Sequence, residues 1–146
     1  MRSLAYVLGL VAGLGLTVQV GMNSQLRRVL QSANTAALVS FLVGTTALVA
    51  LLLATRTPLP GREALSAVPV WAWFGGILGA FYVASSTIVA AELGTAALLA
   101  LALAGQLATA LVIDHYGWLG LPVNPITWVR VAGVGFLGIG VWLITR

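Results

Sequence analysis

Five unbroken apolar stretches, each long enough to cross a bilayer, constrain this chain more than any other feature. They are Leu4–Met22, Ala36–Ala54, Val70–Ala91, Thr95–Ile113 and Ile126–Thr145, of 19, 19, 22, 19 and 20 residues. At about 1.5 Å of helical rise per residue, each covers the roughly 30 Å hydrocarbon layer with little slack for tilt. The runs show no period-2 alternation, which excludes a transmembrane barrel, and backbone polar groups in lipid must then be satisfied inside helices. The expected fold is all-α: an integral membrane protein of five transmembrane helices in a single domain over residues 1–146. Composition agrees, since 60% of residues are hydrophobic and 7% charged, against about 25% charged in soluble domains. The first run is too long for a signal core, and Met22-Asn23-Ser24-Gln25 offers no small-residue cleavage site, so it reads as a retained helix.

Several function classes fall away on residue types alone. The pI near 10.8 rests on seven Arg against three acids scattered between apolar blocks, with no basic cluster to track a nucleic-acid backbone. One His, no Cys and three acids at separate helix ends supply neither a metal site nor a catalytic triad. The expectation is a protein that is not an enzyme and carries no cofactor and no metal.

The polar residues within the apolar runs are more informative. Counting rise from the helix starts puts Gln19 about 8 Å inside the face opposite residue 1, with Ser40, Ser85 and Ser86 near that layer. Tyr82, Thr45, Thr46 and Gln106 lie closer to the midplane. An unpaired amide in hydrocarbon costs about 2–7 kcal/mol, so these groups face protein or water. For Gln19 and Gln106 two readings stand: interhelical hydrogen bonding, or a substrate-facing cavity. Taken as a group, Gln19, Asn23, Tyr82, Ser86 and Gln106 point to a cavity, with Asn23 one helical turn beyond Gln19 extending the strip. No Asp, Glu, Lys or Arg lies in the middle of a run, which weakens proton-coupled export of organic cations, a mechanism that uses an intramembrane carboxylate. Asp114 and Arg130 flank the last loop and are expected to form an ion pair joining the fourth and fifth helices.

With five spans the chain ends lie on opposite sides of the bilayer. Arg2, Arg56, Arg62 and Arg130 then fall on one side and Arg27, Arg28 and Arg146 on the other, so the positive-inside rule gives almost no preference. Near-balance predicts dual topology and an antiparallel homodimer; a fixed orientation is the alternative. Aromatic residues crowd one interface as a belt (Tyr6, Trp71, Trp73, Tyr116, Trp118, Trp128), with Trp142 at the other. Seventeen Gly, including Gly9/Gly13 and Gly75/Gly79 at four-residue spacing, suit close helix packing.

Motifs along the whole chain resemble one family. They are Gln19 and Asn23 followed by Leu26-Arg27-Arg28, Ser40-Phe41-x-Val43-Gly44-Thr45, and Trp73-x-Gly75-Gly76-x-x-Gly79-Ala80-x-Tyr82-Val83. Leu93-Gly94, Gly105-Gln106-Leu107, Ile113-Asp114-His115-x-Gly117 and Arg130-x-x-Gly133 complete the set. The chain is similar to the bacterial five-helix inner-membrane family of the drug/metabolite transporter superfamily. The resemblance implies the bacterial inner membrane, movement of small metabolites or drugs, and half of a ten-helix transporter plan, completed by dimerisation of one chain or of two chains from neighbouring genes. One departure is the hairpin tip Ala91-Glu92-Leu93-Gly94, where a proline-bearing turn is expected. The small multidrug exporters, more distant in plan, keep a carboxylate in their first helix where this chain has Gln19. The expected function is alternating-access transport of a small-molecule substrate around a polar cavity. The alternatives are a proton-coupled multidrug exporter and a non-transporting membrane scaffold or accessory subunit.

Overall fold

A computed structural model of the chain describes residues 2–146, with side chains from Ser3 onward; the side chain of Arg2, counted above in the charge balance, lies outside the described residues. Every regular element described is helical. The α-helices are α1 (Arg2–Leu30), α2 (Ala33–Ala54), α3 (Arg62–Ser66), α4 (Gly75–Leu93), α5 (Thr95–Tyr116) and α6 (Trp128–Ile144). Short 3-10 turns cover Val70–Phe74, leading into α4, and Trp118–Gly120, following α5.

Among the described residues, four helical segments are long and apolar enough to cross a membrane: Ser3–Leu30, Ala33–Ala54, Val70–Leu93 and Thr95–Tyr116. The fifth apolar helix, α6, has 17 residues, about 26 Å of rise. It is shorter than the apolar run because Thr127 caps it: the Thr127 hydroxyl accepts the Arg130 N–H at 3.4 Å, leaving Ile126 outside.

The largest boundary difference concerns α1. The apolar run ends at Met22, and a polar connection is expected from Asn23 to Thr35; instead the helix continues through Leu30 for 29 residues. Residues 23–30 are mostly good helix formers, and Arg27 and Arg28 in the last turn complement the carbonyl end of the helix dipole. Gln31 then turns the backbone left-handed at φ 54°, its amide donating to the Arg28 carbonyl at 2.6 Å. Ser32 caps α2 by accepting the Thr35 N–H at 3.2 Å. The link between the first two helices is therefore two residues long.

The chain forms two compact units, the first ending at Ile88 and the second running from Val89 to Arg146. In the first, α1 packs on α2, and the buried residues are Val20, Asn23, Ala36, Ala37, Val83, Ser86 and Thr87. Small side chains dominate this list, as expected where lipid gives no hydrophobic drive and helices associate by close approach. In the second unit α5 packs on α6. It begins with the last residues of α4 and the single link Gly94, whose φ of 84° and ψ of 160° are accessible to Gly and strained for every other residue.

Candidate functional site

In the first unit, Gln19, Asn23 and Arg27 recur at four-residue spacing and so share one face of α1. Arg27 is half-buried, and its Nη1 donates to the Thr87 carbonyl of α4 at 3.1 Å. That bond ties the outer end of α1 to α4. Asn23 is 3% exposed, yet its amide makes no hydrogen bond among the described residues. The adjoining Ser24 Oγ is fully enclosed and also without a partner.

Gln19 opens onto a pocket of about 220 Å³ between α1 and α2, lined with Ser40, Phe41, Gly44, Thr45 and Leu48. Its three polar side chains, the Gln19 amide and the Ser40 and Thr45 hydroxyls, have no hydrogen-bond partner among the described residues. Neighbouring hydroxyls behave otherwise. Thr17 donates to the Gly13 carbonyl at 3.1 Å, Thr46 to Leu42 at 2.8 Å, Ser86 to Val83 at 2.8 Å and Thr87 to Ala84 at 2.8 Å. Such back-bonding satisfies a hydroxyl inside its own helix. Those four are spent locally, whereas Gln19, Ser40 and Thr45 present donors and acceptors to a pocket; Asn23, Tyr82, Ser85 and Gln106 also lack a side-chain partner among the described residues but do not line it.

The sequence-derived candidates thus fall in different settings. Gln19 lines the pocket, Asn23 is buried and unpaired, and Tyr82 is half-buried on α4. Ser86 is buried at 2% exposure with its hydroxyl engaged. Gln106 belongs to the second unit, where its side chain is exposed on α5. Two residues carry more of the geometry than sequence reasoning gave them. Phe41 lines the polar pocket and also a groove of about 540 Å³ between α2 and α4. Arg27 is the other; its position four residues after Asn23 was the available signal.

The second unit holds a polar cluster at the end of α5. Arg130 Nη2 donates to Asp114 Oδ2 at 2.5 Å, and Nη1 donates to the Asn124 carbonyl at 2.8 Å. Asn124 N–H donates to the Asp114 carbonyl at 2.8 Å, and Ile126 N–H donates to His115 Nδ1 at 3.2 Å. The loop closes over Gly117, at φ 63°, where a Cβ would sit 2.7 Å from Val123 Cγ2. Tyr116 and Trp118 stack beside it, centroids 5.2 Å apart. These bonds pin the α5–α6 loop to both helices, and Arg130 also lines a pocket of about 330 Å³ between α5 and α6 with Leu107, Ala110, Leu111, Gly133 and Val134.

A profile of the family described as "Putative inner membrane exporter, YdcZ" matches residues 4–143. The chain is also 30% identical over 148 aligned positions to the inner membrane protein YdcZ of Escherichia coli K12, covering 99% of this chain and 97% of the relative. No solved structure matches.

Proposed function

The chain belongs to the YdcZ family of inner-membrane proteins and is a multi-pass inner-membrane protein, and from that premise we propose that it carries a small molecule across the membrane through the pocket at Gln19. The observation that carries this reading is the set of three unpaired polar side chains, Gln19, Ser40 and Thr45, in helices of spanning length. Leaving them unpaired in lipid would be costly, of order 2–7 kcal/mol for an amide; a solute that hydrogen-bonds them removes that cost while it is bound. In this reading Asn23 on α1, Tyr82 and Ser86 on α4, all in the same unit as the pocket, and Gln106 on α5 are further substrate contacts.

In this reading the whole chain is one transmembrane domain in which α6 makes the fifth crossing. Trp142, with the Arg146 guanidinium 3.8 Å from its ring centre, anchors the far end of α6 at the interface. Two copies form the working transporter, and access alternates by rocking of one half against the other. The near-even arginine distribution favours an antiparallel pair.

Counterflow in proteoliposomes tests the proposal, with solutes chosen by their stabilisation of the purified protein against heat. Gln19→Leu should abolish counterflow without lowering the temperature of thermal unfolding. A Gln19→Leu protein that transports normally would remove the pocket from the pathway, and wild-type protein with no counterflow for any stabilising solute would favour a scaffold.

A further inference from the structure

The polar pocket is too small to be a complete ligand site. At about 220 Å³ it falls below the roughly 300–1,000 Å³ that holds a drug-sized molecule. One of its walls, Phe41, is also a wall of the larger groove, where the ring meets α4 at a position without a side chain: a Cβ on Gly79 would lie 3.4 Å from Phe41 Cζ. Beyond the ring, the groove is walled by Ala37, Leu38, Ile77, Ala80, Phe81 and Ala84, with Asn34 its one polar side chain. Neither lining contains an ionisable residue.

We infer that the two cavities together hold one uncharged, amphipathic solute, and that Phe41 sets the size of the apolar body it can carry. The head, an amide or hydroxyl, hydrogen-bonds Gln19, Ser40 and Thr45; the body, aromatic or short alkyl, lies along the Phe41 ring into the groove. A purely apolar occupant such as a lipid chain would leave the three polar groups unpaired. A charged solute would enter a lining with no counter-charge, in a setting where charge is expensive. A second copy of the chain could also cover the pocket, and the experiment separates that case. The inference rests on the transport reading for the use of the site, whereas binding is measured apart from movement.

The probes are benzamide, benzoate and benzylammonium, which share one ring and differ in the charge of the head, together with 2-naphthamide. Binding to the full chain in lipid nanodiscs is read by thermal unfolding over a concentration series. Benzamide should bind at least about tenfold more tightly than either charged probe, and Gln19→Leu should erase that advantage. Should Gln19→Leu fail to fold, Gln19→Met, of similar length and without the amide, serves the same comparison. Phe41→Ala should raise the preference for 2-naphthamide over benzamide about tenfold, and Phe41→Trp should lower it.

Benzoate or benzylammonium binding as tightly as benzamide would overturn the inference, as would a naphthamide-to-benzamide ratio indifferent to Phe41, or no binding of either amide. Loss of the dimer in Gln19→Leu without loss of amide binding would assign the pocket to a second copy instead. Tight benzamide binding without benzamide counterflow would sink the transport reading and leave the site intact.

Discussion

Arg27 and Arg130 spend the same guanidinium on different partners. Arg130 meets a carboxylate and a loop carbonyl, with both charged side chains 29% exposed, whereas Arg27 meets a helix carbonyl. At that partial exposure the Asp114–Arg130 pair sits between a surface bridge, about 0.2–1 kcal/mol, and a buried one. Arg130→Leu removes the Asn124 contact as well and should cost about 1–2 kcal/mol, more than Asp114→Asn, which leaves Arg130 an amide oxygen to bond. Thermal unfolding of the two variants in detergent checks the order. Gly117→Ala should also destabilise, by about 1–2 kcal/mol, because φ is positive and the new Cβ meets Val123. At this scale the sequence told which residues are polar within apolar runs, and Gln19 was found that way. It could not tell which of them are already satisfied. Ser40 and Ser86 look alike as letters in apolar segments, and only backbone geometry separates the free hydroxyl from the spent one.

The helices themselves were legible wherever apolar length decided them, as in α2 and α5. They were misjudged where helix outlasts hydrophobicity. Residues 23–30 are polar enough to leave the bilayer and helical enough to stay wound, so hydropathy marked an end at Met22 that the backbone ignores. The true end is written in smaller signs, a left-handed Gln31 and a Ser32 cap. Ser32→Ala should therefore cost about 1 kcal/mol in thermal stability, a typical price for losing an N-cap. Gly94 is the second such joint. Any side chain there must hold a conformation that only Gly adopts freely, so Gly94→Ala should cost about 1–3 kcal/mol and lower the yield of folded protein. A proline at this joint could not adopt φ of 84° either.

For the whole molecule, membrane class and family were readable from composition, run lengths and scattered motifs, because lipid allows so few backbone solutions. The pairing of Phe41 with Gly79 was not, since residues 38 positions apart in an apolar chain carry no mark of their contact. Orientation follows from the proposed antiparallel pair. In a chain without cysteine, one introduced at the C-terminus should be labelled from outside intact cells in roughly half of the molecules if insertion is indifferent to direction. Two arginines added beside Arg56 should move that fraction to nearly all or none. Labelling that starts at all or none would show a fixed topology and leave the inverted copy to a second gene.

The length of α1 has a further consequence. Its 29 residues rise about 43 Å, some 10 Å more than the 22 of α2 and well beyond a 30 Å hydrocarbon layer. The apolar run Leu4–Met22 sets the level of the helix that carries Gln19 and Asn23, residues 23–30 project beyond the layer, and the Arg27–Thr87 bond ties that projecting part to α4. A thicker bilayer would favour drawing the polar turns of α1 inward and a thinner one would expose more of its apolar run, each at a fraction of a kcal/mol per ångström. Turnover in reconstituted membranes should accordingly pass through a maximum as acyl chains lengthen, and Arg27→Leu should broaden that maximum. The helix that bears the site would then also serve as a gauge of membrane thickness.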